Sequence, residues 1–161
     1  MKKKWSKLFL PLFLLFLNSF TQSLSAKECS NFEGKWVGTC SNDNFIELNI
    51  QQASCEVIKL KGENLIIGKG FIGSTHYISG QLIERKKMAN FSPKKNKLFI
   101  STMVSVTNPP NIFHVDIFKR SLMKKDEHTL IYTTVGKKVQ TKETKIVHSD
   151  YSWSCFLSKS N

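Results

Sequence analysis

The chain has 161 residues, with 24 Lys and Arg against 12 Asp and Glu, which gives a formal net charge of +12 at pH 7. Lysine accounts for nearly all of the excess, since Arg85 and Arg120 are the only two arginines. Nucleic-acid sites favour the planar arginine fork, so a lysine excess is typical of solvated strand faces, with weak attraction to anionic envelope surfaces as an alternative. The composition therefore argues against a nucleic-acid partner.

Residues 1–26 have the three parts of a secretory signal peptide. Four lysines precede an apolar run at residues 8–17, and the small residue Ala26 ends the segment. That run contains Pro11 and is about half of the roughly 20 residues that a membrane-spanning helix needs. We therefore predict cleavage after Ser25 or Ala26 and a secreted or periplasmic location. Loss of the four lysines lowers the net charge from +12 to +8.

Residues 27–161 are predicted to form one β-barrel-like domain. Short segments with alternating or continuous apolar side chains are separated by turn residues, and side chains two positions apart line one face of a strand. The predicted strands are residues 34–40, 45–52, 56–61, 64–70, 76–85, 97–106, 112–120, 129–135 and 146–157. The fold class is therefore all-β, a small antiparallel up-and-down barrel of about eight strands, with a β-sandwich as the alternative.

The first predicted strand opens with a Gly-x-Trp pattern, in which Gly34 and Trp36 fall within Phe-Glu-Gly-Lys-Trp-Val-Gly at residues 32–38. This pattern resembles the start of the calycin-type barrels, the lipocalin and avidin families. The Cys-Ser pair at residues 29–30 is similar to avidins in particular. Ser-Asp-Tyr at residues 149–151 resembles the second lipocalin motif. The resemblance implies an up-and-down barrel in which Trp36 plugs the floor of the closed end.

All four cysteines follow the predicted signal peptide, and an even number in a small exported domain implies disulfides. A turn at residues 41–44 would place Cys55 within one residue of the position opposite Cys29, so we predict a Cys29–Cys55 bridge. Cys40 then pairs with Cys155, because the last strand of a closed barrel lies beside the first. The alternative is Cys29–Cys155 with Cys40–Cys55.

Two His-x-Asp pairs, His114 with Asp116 and His148 with Asp150, each place an imidazole and a carboxylate on one strand face. Neither pair has a predictable third ligand, so we expect no bound metal. No Gly-x-Ser-x-Gly elbow occurs, and no pair of carboxylates stands out for glycoside hydrolysis. We therefore expect no cofactor and no enzymatic activity.

Aromatic residues fall on nearly all of the predicted strands, and the interior of a barrel of roughly eight strands is either filled by side chains or holds one small ligand. We expect an exported soluble binding protein that holds a small apolar or amphipathic ligand. The alternative is a protein-binding module, such as an envelope factor or a hydrolase inhibitor, that acts through surface loops. An integral membrane barrel is not expected, because many strands carry Lys, Glu or Asn on one face. The candidates for the barrel floor and ligand pocket are Trp36, Tyr77, Phe99, Tyr132, Tyr151 and Trp153.

Overall fold

The computed structural model describes residues 28–108, 112–142 and 145–160, so the predicted signal peptide lies outside the described residues. Within these ranges there is no helix long and apolar enough to cross a membrane. The described strands are β1 (Gly34–Cys40), β2 (Phe45–Gln52), β3 (Val57–Leu60), β4 (Glu63–Ile66), β5 (Ile72–Ile78), β6 (Gln81–Phe91), β7 (Lys97–Asn108), β8 (Ile112–Lys124), β9 (Thr129–Lys142) and β10 (Lys145–Ser160).

These strands form one curled antiparallel sheet in the order β4-β3-β2-β1-β10-β9-β8-β7-β6-β5. The predicted all-β, barrel-like fold class is confirmed, but the sheet has ten strands and not about eight. Part of the difference comes from residues 76–85, which were predicted as one strand and instead belong to the β5–β6 hairpin. Ser79 and Gly80 have φ of 49° and 76°, and a two-residue type I′ turn requires positive φ at both central positions.

The sheet curls into a half-barrel that is closed at one end. We call the face that carries Trp36 the concave face and the opposite face the convex face. Gly38 allows β1 to approach β10 closely, because a Cβ at this position would overlap the backbone oxygen of Phe156. Beyond β4, Ile67 forms a parallel bridge with Ala89 of β6, and the Ala89 oxygen accepts a hydrogen bond from Gly68 N at 3.0 Å. This contact joins the two sides of the curled sheet.

The closed end contains the hydrophobic core. Trp36 is fully buried there, and its Nε1 donates a hydrogen bond to Phe32 O at 2.8 Å. Residues before β1 cover this end, since Phe32 stacks on Phe91 and its backbone N donates to Gln52 Oε1 at 2.8 Å. The other core side chains are Leu48, Ile50, Ile58, Leu60, Leu65, Ala89, Leu98, Ile100, Leu122, Leu130, Tyr132 and Leu157, with the cysteines Cys40 and Cys155.

Two disulfides, Cys29–Cys55 and Cys40–Cys155, join elements of the closed end. These are the two bridges that the hairpin argument favoured. Thr39 lies opposite Phe45, one residue from the predicted register, and this shift brings Cys29 into line with Cys55. Cys40 is directly opposite Cys155, so this bridge links β1 to β10. Two disulfides fit an extracellular or periplasmic protein.

The open end is the part of the sheet that extends past the core. It consists of β5, the first half of β6, and the parts of β7 to β10 that pair beyond Thr102 and Phe118. All seven residues of β5 are exposed, and so are residues 145–150 at the start of β10. Apolar side chains that are exposed at this end are Ile72, Tyr77, Ile78, Phe113, Ile117, Ile146 and Val147.

Candidate ligand pocket at the mouth of the half-barrel

A cavity of about 280 Å³ opens on the concave face where the closed end meets the open end. We call it the mouth pocket. Four strands, β3, β4, β7 and β8, supply its apolar wall. Because side chains alternate between the two faces of a strand, each of these strands places apolar side chains on the concave face. The apolar lining residues are Leu60, Leu65, Ile100, Val104 and Phe118.

The mouth pocket also brings together the two arginines of the chain. Arg85 on β6 and Arg120 on β8 are 35 positions apart in sequence, and β7 lies between their strands. Lys61 and Lys87 also line the pocket, and Glu63 is the one acidic residue among its lining residues. Four cations against one carboxylate give this cavity a net positive charge, which favours an anionic ligand.

Arg120 is held in place by its neighbours on the concave face. Its Nη2 donates a hydrogen bond to Thr102 Oγ1 at 3.2 Å, and its guanidinium carbon lies 4.8 Å from the centre of the Phe118 ring. The Nε atom of Arg120 is buried and has no hydrogen-bond partner among the described residues. Buried polar atoms in proteins nearly always have a partner, so this Nε is an unusual unpaired donor on a guanidinium that lines the pocket.

Glu63 forms an ion pair with Lys87 at the border between the mouth pocket and a second cavity of about 210 Å³. Both residues, together with Leu65 and Arg85, line the two cavities. The hydrogen bond from Lys87, and then the charges of Lys87, Arg85 and Arg120, hold the pKa of Glu63 below its ordinary value, although burial opposes this shift. A carboxylate of the protein itself is thus already stabilised by the cations of the pocket.

Tyr151 lies next to the mouth pocket on the concave face. Its ring crosses Gly136, where a Cβ would overlap the ring, and its hydroxyl donates to Asp116 Oδ1 at 2.7 Å. Burial, and then the hydrogen bond and charge of Asp116, raise the pKa of Tyr151 above its usual range. Gly136 is also the pairing partner of Phe118, so the ring of Tyr151 lies beside Phe118 at the wall of the pocket.

Comparisons with known proteins do not assign a family to this geometry. No protein-family model matches the chain, and searches of curated proteins and of solved structures found no match. The resemblance to calycin-type barrels therefore stays a prediction that depends on the short pattern at residues 32–38 and the motif at residues 149–151.

Three of the predicted aromatic residues are part of the closed end or pack against it. Trp36 and Tyr132 are buried in the core, and the ring of Tyr132 lies 5.4 Å from that of the half-buried Trp153. All three side chains lie on the concave face. With Tyr151 beside the mouth pocket, four of the six candidates face the interior of the half-barrel, although none of the four lines the mouth pocket itself.

Tyr77 and Phe99 lie away from the core and from the mouth pocket. Tyr77 is 77% exposed on the edge strand β5, because the hairpin turn at residues 79–80 carries this strand past the core. Phe99 belongs to the convex face, since the buried Leu98 and Ile100 on either side of it occupy the concave face. On the convex face, Lys97 Nζ lies 5.3 Å from the centre of the Phe99 ring.

The two His-x-Asp pairs lie on opposite faces of the sheet. His114 and Asp116 share the concave face, where Asp116 accepts the hydrogen bond from Tyr151. His148 and Asp150 are exposed, and Asp150 lies 3.9 Å from Lys137 Nζ. Within residues 28–108, 112–142 and 145–160, no group of three or more His, Cys, Asp or Glu could hold a metal ion.

The sequence analysis did not identify Arg85, Lys87 and Arg120 as site residues. One signal could have found Arg120, because it is two positions from the core residue Leu122 and therefore shares the core-facing side of its strand. An arginine on that side is unusual, since arginine is mostly exposed unless it has a partner. That Arg85 would face the same cavity depends on the register of β6, β7 and β8, which the sequence pattern left open.

Proposed function

We propose that this protein is an exported binding protein that holds a small amphipathic anion in the mouth pocket. The apolar body of the ligand packs against Ile100, Val104 and Phe118, and its anionic head group interacts with Arg85 and Arg120. The observation that carries this proposal is the convergence of the two arginines on one cavity with an apolar wall.

Arginine suits this role because its planar guanidinium binds a carboxylate or a phosphate through two parallel hydrogen bonds. The contacts of Arg120 with Thr102 and Phe118 orient the guanidinium before a ligand arrives, which lowers the entropy lost on binding. A cavity of about 280 Å³ is near the lower limit of ligand pockets, so the proposal is restricted to small ligands.

The alternative function, a protein-binding module that acts through surface loops, stays a prediction. The residues of the mouth pocket come from strands β3, β4, β6, β7 and β8 and from Lys61 next to β3. Sites on strands are held more rigidly than sites on loops, which favours recognition of a small molecule there.

Binding can be tested with three eight-carbon probes that share one tail and differ in the head group. We expect octanoate to bind more tightly than 1-octanol, and octylammonium to bind most weakly, as measured by isothermal titration calorimetry. Equal affinity for octanoate and 1-octanol would contradict the proposed role of the two arginines. Native mass spectrometry of protein purified from its own host would identify a co-purifying anion.

A matched pair of variants separates the pocket from the overall charge of the protein. Arg120→Met and Lys119→Met each remove one positive charge from β8, but Lys119 is exposed on the convex face. We expect Arg120→Met to weaken octanoate binding about tenfold or more, because hydrogen bonds to charged groups are the stronger ones, and Lys119→Met to change it little. Arg85→Met repeats the test at an exposed residue, and equal effects of the Lys119 and Arg120 variants would overturn the assignment.

A further inference from the structure

The cavity of about 210 Å³ that borders the mouth pocket lies between the two edge strands of the sheet, β4 and β5. We call it the seam cavity. Residues 63–66 of β4, residues 72–74 of β5 and three residues of β6 line it. The chain itself bounds one end, because Gly68 N donates a hydrogen bond to the oxygen of the lining residue Ala89. The two edges of the sheet therefore flank a cavity that the proposed function does not yet use.

Apolar side chains line much of the seam cavity. In the β5–β6 register, Ile72 lies opposite Lys87. Ser74 lies opposite Arg85, so β5 and β6 turn these four side chains to the same face of the sheet. The apolar lining residues of the seam cavity are Leu65, Ile66, Ile72 and Ala89. The seam cavity thus has an apolar wall of its own, in addition to the wall of the mouth pocket.

The seam cavity and the mouth pocket share a charged border. Arg85, Lys87 and Glu63 line both cavities, and Glu63 forms its ion pair with Lys87 there. Arg85 forms no ion pair or side-chain hydrogen bond within the part of the chain that the structure describes. Arg120 adds a further positive charge from the side of the mouth pocket. Three cations therefore surround one carboxylate, and an apolar wall lies on either side of them.

We propose that the ligand is an anion that carries two short alkyl groups, as a phosphate diester does, and that the second alkyl group occupies the seam cavity. This inference rests on the proposed function and adds the chemical class of the ligand. The charged group lies at the border, next to Arg85 and Arg120. One alkyl group packs against Ile100 and Val104 in the mouth pocket, and the other packs against Ile72 in the seam cavity.

The charges at the border favour two alkyl groups over one long tail. A single tail that reached the seam cavity would run past the ion pair of Glu63 and Lys87 and remove water from it without providing a new partner, which is unfavourable. A diester places oxygen atoms at the border and apolar groups only on either side. Its two unesterified oxygens share one negative charge and match the parallel N–H groups of a guanidinium.

The sizes of the two cavities agree with this arrangement. Ligand pockets usually have volumes of roughly 300–1,000 Å³. The mouth pocket, at about 280 Å³, and the seam cavity, at about 210 Å³, are each below this range. A ligand that spans the border uses both volumes, which together lie within it. Each cavity alone is small, so both alkyl groups are expected to be short.

Isothermal titration calorimetry with two phosphate diesters tests the second alkyl group on the purified protein. Dibutyl phosphate carries two butyl groups, and butyl methyl phosphate keeps the same charged group but has only one. We expect dibutyl phosphate to bind about tenfold or more tightly than butyl methyl phosphate, since each buried methylene favours binding. Equal affinity of the two diesters would overturn the proposal.

A matched pair of variants on β5 separates the seam cavity from general apolar binding. Ser74→Phe places a large side chain in the seam cavity and leaves the charges at the border unchanged. It should weaken dibutyl phosphate binding about tenfold or more and leave octanoate binding unchanged, because the single alkyl group of octanoate stays in the mouth pocket. Thr75→Phe is the control, since the next residue on this exposed strand faces the opposite side, and it should change neither affinity.

Octanoate distinguishes failure of this inference from failure of the proposed function. If octanoate binds but Ser74→Phe leaves dibutyl phosphate binding unchanged, the second alkyl group does not occupy the seam cavity and the mouth pocket still stands as the ligand site. Equal losses for the diester and for octanoate in Ser74→Phe would also overturn the inference. If neither octanoate nor the diesters bind, the proposed function itself is wrong, and this inference fails with it.

Discussion

The closed and open ends of the half-barrel share strands β6 to β10 but differ in how deeply their side chains are buried. In the closed end, Trp36, Leu98 and Leu157 are fully buried, and two disulfides tie the strands together. In the open end, β5 and the start of β10 are exposed on both faces, and the mouth pocket at the border of this end places four cations beside an apolar wall.

Under the proposed function, stability and ligand binding would depend on different parts of one sheet. Burial of apolar area and constraint of the unfolded chain stabilise the closed end. Substitutions there should therefore lower the free energy of unfolding by several kcal/mol, about 3–5 kcal/mol for one buried aromatic residue or one disulfide. The open end contributes few buried contacts, and its charged side chains are therefore available for a ligand.

The largest effect is expected from removal of the Cys40–Cys155 bridge. This disulfide joins residues 115 positions apart, and in the chain-entropy model its loss costs about 5 kcal/mol. The Cys29–Cys55 bridge spans 26 positions and should cost about 3.5 kcal/mol. Urea unfolding of Cys40→Ala/Cys155→Ala and Cys29→Ala/Cys55→Ala proteins measures both. A larger loss for the shorter loop would contradict this order.

Trp36→Ala should be nearly as damaging, with a loss of about 3–5 kcal/mol, because the substitution empties a fully buried site. Its control is Phe45→Ala on the neighbouring strand, where the side chain is 67% exposed and the expected change is about 0.5 kcal/mol or less. Both values come from urea unfolding. Similar losses for the two variants would remove the contrast between core and surface in the closed end.

Tyr151→Phe at the open end should cost about 1.5–3 kcal/mol, the value of one hydrogen bond to a carboxylate. Folding raises the pKa of Tyr151, so its protonated hydroxyl stabilises the folded protein. This stabilisation is complete below the ordinary pKa of 10.0 and decreases as the pH rises above that value. The variant should therefore lose less stability than the unchanged protein in alkaline solution. Tyr77→Phe, at an exposed edge position, is the control, and identical alkaline profiles for all three proteins would contradict the Asp116 contact.

The smallest effect on stability is expected for Glu63→Gln, at most about 1 kcal/mol, because exposed ion pairs contribute little. Folding lowers the pKa of Glu63 from its ordinary 4.5, so the ion pair contributes above that pH and is lost as pH falls through the folded pKa. Octanoate affinity should rise in this variant, because an internal carboxylate no longer competes for Lys87. Calorimetry measures the octanoate affinity of Glu63→Gln, and urea unfolding measures its stability. A stability loss comparable to that of Trp36→Ala would contradict the expected difference between the closed and open ends.

Much of the closed end could be predicted from the sequence, because its signals are local. Alternation in β2 identified the buried positions Leu48 and Ile50, and the turn after Cys40 set the hairpin register to within one residue. This register was accurate enough to favour the Cys29–Cys55 bridge, because a shift of one residue places the two cysteines opposite each other.

The open end and the mouth pocket were harder to predict, because they depend on positive φ and on distant strand pairs. Ser79 and Gly80 form a tight turn that the alternation of residues 76–85 conceals, so β5 was missed as a separate strand. Arg85 and Arg120 share a cavity through the pairing of β6, β7 and β8, and no pattern within one strand reports that register. The aromatic residues suggested a pocket, but its charged groups required the three-dimensional structure.

The position of β10 has a consequence for the order of events during biosynthesis. This strand pairs with both β1 and β9, yet it is the last of the ten described strands to be synthesised. Until it emerges, β1 has no neighbour on that side and the thiol of Cys40 has no correct partner, while Cys29 and Cys55 are already within reach of it. Oxidation that runs ahead of translation would therefore trap wrong pairs, so correct maturation calls for late oxidation or for a disulfide isomerase.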